Sequence, residues 1–248
     1  METSDSKADL HLHTTASDGA ATVRELLTYV ARTDLRVIAV TDHDTITAAL
    51  EARHMAGAYG VEVIVGEEVS TQDGHLLVLF LEQELPPGRP LAETVAAARA
   101  QGALVIAPHP FGFLVNSLGR TGPLGFGRHA APAWATQVDA VESFNAGLWS
   151  PHNNALAARF AAAHGLPVVG GSDSHHLPTV GMGYTYFPGR TAADLRRAIV
   201  QRQTRAAGVM WSTRHLVEVG ALQVRRGING LLAPATATIL DKVSDAGF

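Results

Sequence analysis

Along this chain, short apolar runs alternate with stretches in which apolar residues recur every three or four positions. The first pattern marks strands and the second amphipathic helices. Residues 21–33 read as a helix, with Thr22 as N-cap and Val23, Leu26, Leu27 and Val30 on one stripe. A strand is predicted at 37–41, a helix at 46–59 closed by Gly60, and a strand at 61–69. A turn at Asp73-Gly74 then delivers His75 to an apolar strand over 76–81. Helices are predicted at 91–101 and 151–164, and strands at 103–107, 138–144 and 166–170. The glycine-rich stretch 111–133 is longer than ordinary loops within compact domains, and such loops are commonly functional. This alternation indicates parallel βαβ units, about seven strands in all, arranged as a barrel or near-barrel.

Polar residues gather where the strands end, which in parallel barrels is the active-site face. The chain opens on Asp9-Leu10-His11-Leu12-His13, where strand alternation puts His11 and His13 on one face. His43 follows the second strand, Glu68 ends the third, and His75 begins the next. His109 lies between two prolines after another strand, and Asp173 and His175 repeat the same-face spacing after the last. Within 61–68, Val61, Val63, Val65 and Glu67 share the face expected under the helices, so Glu68 points inward, with Gly66 below it leaving room for ions.

Counting Asp18, six imidazoles and three carboxylates converge on one mouth. That is too many for one ion, which takes about four to six ligands, so two or three divalent metals sharing a carboxylate are expected. The chain has no cysteine, and nitrogen and oxygen donors without sulfur suit manganese, iron or zinc. Asp42 and Asp44 flank His43 with opposite parity and are expected to cap the next helix or orient ligands. His176 should point away from His175. His54, His152, His164 and His215 are read as ordinary helix or loop residues, and Asn145 either touches substrate or is structural.

Composition narrows the setting. With 248 residues and 46% hydrophobic content, a single domain over 1–248 is the simpler reading, with a motif-bearing core at about 8–205 and a basic segment at 206–248. Neither a signal peptide nor a membrane span is visible, so a cytoplasmic protein without a membrane partner is expected. A net charge of −4 argues against binding long nucleic acid. Eight arginines against two acids over 190–226 form either a solvated face or a track for a short oligonucleotide. Lysine occurs only at positions 7 and 242, so a cationic phosphate clamp must be built from arginine. Arg120 and Arg128, with His129, are the candidates in the long loop.

The motifs Asp-Leu-His-Leu-His, Thr-Asp-His-Asp, Gly-Glu-Glu-Val-Ser, Pro-His-Pro and Gly-Ser-Asp-Ser-His, over about 8–205, resemble those of the PHP (polymerase and histidinol phosphatase) family. The resemblance implies a distorted (β/α)7 barrel, a trinuclear metal site and phosphoesterase activity. By motif, His11, His13, Glu68 and Asp173 would hold one metal; Glu68, His75 and His109 a second; Asp18, His43 and His175 a third. Many members carry histidine where this chain has Asp18. A metal-bridging hydroxide would attack phosphorus in line, with Asp18 or His43 helping to protonate the leaving oxygen. The substrate would be a small phosphorylated molecule or the end of a short oligonucleotide. Short relatives resembling 3′,5′-bisphosphate phosphatases often carry an inserted domain, for which Glu68 and His109 stand too close in sequence. Two alternatives stay open. One is a C–N or C–O hydrolase, although related enzymes often use a carboxylated lysine that this chain lacks centrally. The other is a noncatalytic metal-binding domain.

Overall fold

Strand β1 (Asp5–Asp9) pairs in parallel with β2 (Leu35–Val40), and β2 with β3 (Glu62–Thr71). The computed structural model describes residues 5–112, 115–119 and 133–232. Only Gln72 and Asp73 separate β3 from β4 (Gly74–Leu79), a connection too short for anything but an antiparallel hairpin. The expectation of parallel units throughout therefore fails at β4, which runs antiparallel to both β3 and β5 (Leu104–Ala107). Reversal places the start of β4, and so His75, at the end where the parallel strands finish. β6 (Ala140–Asn145) and β7 (Val168–Gly171) resume parallel pairing.

Seven strands, β1 to β7, make the barrel wall. Its seam closes beyond the strand ends, where Leu12 bridges Ser174, His13 N–H donates to Ser174 O at 2.9 Å and Ser174 N–H to His11 O at 3.3 Å. Two further strands, β8 (Gly183–Pro188) and β9 (Arg205–Gly208), extend the sheet antiparallel from β1. They were not anticipated, because Gly-Tyr-Thr-Tyr-Phe-Pro has no apolar run and β9 lies within the arginine-rich segment. Thr185 Oγ1 of β8 bonds both the N–H and the carbonyl of Gly170, tying the extension to β7 across the seam. The architecture is α/β, a distorted (β/α)7 barrel.

Period-2 alternation divides the apolar residues into two layers. Ala8, Val37, Ile64, Leu77, Ile106, Ala140 and Val169 fill the barrel interior. Val63, Val65, Val78 and Val105 face outward under α1 (Val23–Val30), α2 (Thr47–Met55), α3 (Leu91–Ala100) and α4 (Pro151–His164). Helix α1 starts with a capping box between Thr22 and Glu25. α5 (Ala192–Val200) instead plugs the end opposite the site, burying Leu195, Ala198 and Ile199 against the interior layer. It reaches the bottoms of three strands: Ala192 N–H donates to Glu62, Arg196 donates to the Gly102 carbonyl, and the Arg196 guanidinium lies 4.8 Å from the Phe80 ring centre. The final helix, α6 (Thr213–Leu232), lies beside the opposite mouth. No helix among the described residues is long and apolar enough to cross a membrane.

Candidate metal centre

All nine residues singled out from the sequence meet at the mouth of the barrel, in four overlapping groups whose donor atoms lie within 4.8 Å of one another. These groups are His11 with Glu68 and His109; His11 with His13 and Asp173; His43 with Glu68 and His75; and His13 with Asp18, His43 and His175. Glu68 is the hub. Five imidazoles approach its carboxylate: His75 at 2.9 Å, His109 at 3.0 Å, His11 at 3.1 Å, His13 at 3.3 Å and His43 at 3.4 Å. The sixth, His175, pairs with Asp18 at 3.1 Å. The partition differs in detail from the one the motifs imply, since His13 also joins the Asp18 group and His43 also faces Glu68.

Local backbone explains how these side chains are aimed. Asp173 and His109 adopt left-handed φ values of 55° and 29°, a conformation that non-glycine residues hold only under external constraint. At the seam, a Cβ on Gly171 would sit 2.5 Å from both His11 Cβ and Glu142 Oε1, so this approach demands glycine. Gly66 has a different reason from the one expected. A Cβ there would meet Thr41 Cγ2 at 2.8 Å and Leu79 Cδ2 at 3.0 Å, so its space is taken by neighbouring strands rather than left for ions.

A second layer of carboxylates orients the first. Glu142, which the sequence reading missed, is buried and accepts from His11 Nδ1 at 3.0 Å, His109 N–H at 2.8 Å and Asn145 Nδ2 at 2.9 Å. Its signal was available: a lone carboxylate in the apolar strand Ala-Val-Glu-Ser-Phe-Asn. Asn145 is fully buried and also donates to Asp173 Oδ2 at 3.1 Å, so its role is structural support of the site. Asp42 accepts from Thr14 N–H, Thr14 Oγ1 and Ser17 Oγ, fixing the loop that carries Asp18, whereas Asp44 accepts from Ser70 N–H. Neither caps α2, whose N-cap is Ile46 with no side-chain bond. Asp9 accepts from Ser172 and Gly181 N–H and ties β1 to the segment after β7.

The remaining histidines stand apart from the cluster. His176 Nε2 lies 3.3 Å from Glu218, His164 Nδ1 donates to the Phe160 carbonyl, and His54 and His152 sit in α2 and α4. His215 Nδ1 accepts from Ser212 N–H. Arg120, Arg128 and His129 lie outside the described residues. In the basic segment, Arg197, Arg205 and Arg214 pair with Asp194, Asp5 and Glu218 while staying largely exposed.

The donor set suits divalent ions. Both ring nitrogens of His13 are fully buried and unpaired, because the carboxylates 3.3 Å from Nε2 lie at angles unsuited to a hydrogen bond. Both nitrogens of His11 face carboxylates, so without ions that ring must carry an extra proton. Burial opposes this, yet Asp173, Glu68 and Glu142 together raise the His11 pKa well above its ordinary value. The same balance raises His175 to about 9: burial opposes, and Asp18 and Asp173 outweigh it. Burial alone would raise Glu68, but the surrounding imidazoles hold it well below the usual carboxylate range. These charges are complementary to cations, which would replace the protons.

Comparison with known proteins agrees with this geometry. Residues 9–144 match the PHP domain and residues 151–204 the PHP-associated family. An uncharacterized protein of Methanocaldococcus jannaschii is 33% identical over 151 residues, covering 56% of this chain and 82% of the relative. A 5′-3′ exoribonuclease of Haemophilus influenzae is 36% identical over 104 residues, 40% of this chain and 38% of the enzyme. The crystal structure of a two-domain Bacteroides vulgatus protein containing a predicted PHP-like metal-dependent phosphoesterase superposes with a TM-score of 0.65 at 21% identity, covering 87% of this chain and 69% of that one. Fold, donor set and family match together define a metal-dependent phosphoesterase. The chain belongs to the PHP domain family.

Proposed function

We propose that the protein hydrolyses a phosphate ester of a small metabolite or nucleotide, or one at the end of a short oligonucleotide. The observation that carries this reading is the Glu68 hub, one buried carboxylate with five imidazoles within 3.4 Å. His11, His13, Glu68 and Asp173 would hold one ion, Glu68, His75 and His109 a second, and Asp18, His43 and His175 a third. Manganese, iron or zinc in these positions would supply Lewis acidity toward phosphoryl oxygens and acidify the attacking water. No lysine or arginine lines the cavity among the described residues, so the ions would supply the lasting positive charge toward a phosphoryl group, which ties activity to metal content.

Asp18 and His43 are the most accessible of the cluster, with side chains 30% and 27% exposed, and so face the substrate. They are not equivalent as proton donors. Burial would raise Asp18, but its hydrogen bond from His175 and the nearby His13 and His43 hold its carboxyl well below the usual range, so it stays ionised. His43 could protonate a leaving oxygen only where it does not itself hold the third ion, while Asp18, which accepts from His175, serves as a ligand. Similarity to an exoribonuclease supports a nucleotide or oligonucleotide end.

The test is phosphate release from nucleotides, sugar phosphates and short oligonucleotides after loading with each metal. Release that tracks metal content is expected. Turnover restricted to amides or lactones would replace this reading with the C–N or C–O hydrolase alternative.

A further inference from the structure

The cavity above the cluster, about 640 Å³, is chemically divided. Its floor is the set of carboxylates and imidazoles. Its wall is apolar, made by Leu148 and Trp149 after β6, Trp211 after β9, and Leu216 and Val219 of α6. Floor and wall are contiguous: the Trp211 ring centre is 6.4 Å from that of His175, edge to face. A Cβ on Gly147 would meet Trp211 Cζ2 at 3.3 Å and Asp173 Cβ at 3.4 Å. A phosphoryl group on the floor therefore has its ester substituent against the indoles.

Two features of that wall specify what it fits. Trp149 is 67% exposed, a large flat apolar face left open to solvent beside the site. Trp211 is 9% exposed, and its buried indole N–H has no acceptor among the described residues. That nitrogen is itself shielded from solvent, so what the residue offers the cavity is its ring. A sugar can lay only the C–H groups of one puckered face on an indole, whereas a planar ring stacks face to face, which is favourable for any nucleobase.

We propose that this wall is the leaving-group subsite, and that it takes a planar ring of the nucleobase type, with Trp149 as stacking face and Trp211 as the apolar wall next to the metal-binding floor. The proposal rests on the phosphoesterase reading for what happens to the ester, but not for binding of the ring. Its test separates the two. Calorimetric titration with adenosine, which carries no phosphate, reads the wall alone. Phosphate release from adenosine 5′-monophosphate, naphthyl phosphate, octyl phosphate and ribose 5-phosphate reads both.

Adenosine is expected to bind, with Kd raised at least fivefold in Trp149→Ala and by a smaller factor in Trp211→Phe, which keeps a smaller ring in the wall. The preference for the nucleotide over ribose 5-phosphate, as a ratio of kcat/KM, should fall at least fivefold in Trp149→Ala. Adenosine binding that is lost in Trp149→Ala in a protein releasing no phosphate from any ester would sink the phosphoesterase reading and leave the subsite standing. Equal kcat/KM for all four esters, or adenosine binding that is absent or indifferent to both substitutions, overturns the subsite while the phosphoesterase reading survives.

Discussion

Two adjacent glutamates show how much a single residue's environment decides. Glu68 points into the barrel mouth, surrounded by imidazoles, while Glu67 points outward, accepting from Leu85 N–H at 2.9 Å through one oxygen and leaving the other unpaired. Glu68→Gln removes the charge shared among the metal-type groups and is expected to lose metal and nearly all phosphate release. Glu67→Gln should keep both, with at most a tenfold loss, about 1.4 kcal/mol in barrier. Metal analysis and rate assays on matched samples check the pair. A second consequence follows from burial, which pushes the Glu67 carboxyl up to about 8. With the folded value above the unfolded one, the stability this group contributes is complete below about pH 4.5 and is lost as pH rises through 8. The loss accumulates between these two values, at most about 1.4 kcal/mol per pH unit, and levels off above pH 8, and Glu67→Gln, which mimics the protonated acid, should abolish it. Denaturant midpoints at pH 5, 6.5 and 8 for both proteins measure this, and parallel pH profiles would contradict it. The inward and outward assignment of these residues was readable from period-2 alternation in β3. That Gly66 is required by Thr41 and Leu79 was not, because those neighbours reach it from either side of β3, through pairing that period-2 alternation within one strand does not show.

At the level of elements, the helix that plugs the barrel and the strand that reverses in it carry the lesson. Leu195 of α5 is fully buried against the interior layer at the end opposite the site. Leu195→Ala should cost about 2–5 kcal/mol, the usual range for a leucine cavity, and lower the thermal midpoint while leaving kcat per folded molecule within twofold. Calorimetry and assays below the transition separate the two effects, and a proportionate loss of kcat would mean that the plug communicates with the mouth. Neither the plug nor β8 was visible in the sequence. The arginines of α5 hid an apolar stripe of three residues, and β8 alternates aromatic and small residues without an apolar run. β4 was legible as a strand and its direction followed from the short hairpin, but the general pattern of alternating elements favoured parallel pairing and masked it.

For the whole molecule, folding and ion binding are linked, because the barrel brings together carboxylates and imidazoles up to 164 positions apart, from His11 to His175, and the site is built only when the seam between β1 and β7 is closed. Ions that bind the folded state alone stabilise it by mass action, about 2.7 kcal/mol at a hundredfold excess over Kd. Chelation is therefore expected to lower the thermal midpoint by several degrees and abolish phosphate release, both restored by manganese, iron or zinc. Elemental analysis should find more than one equivalent per chain. Ion affinity should fall as pH is lowered, since His175, raised to about 9 without ions, must shed a proton to become a ligand. An unchanged midpoint after complete stripping would sever this link. What the sequence determined by itself was local: which residues alternate inward, where strands end, and so which nine side chains could face one mouth, all consequences of backbone periodicity within single elements. Tertiary structure alone decided that five imidazoles close on Glu68, which the motifs had placed between two metals, that Glu142 and Asn145 brace the site from behind, that α5 closes the far end and that two indoles wall the near one. Those outcomes depend on contacts between distant segments, and the spacing of residues along a chain does not encode distance across a barrel.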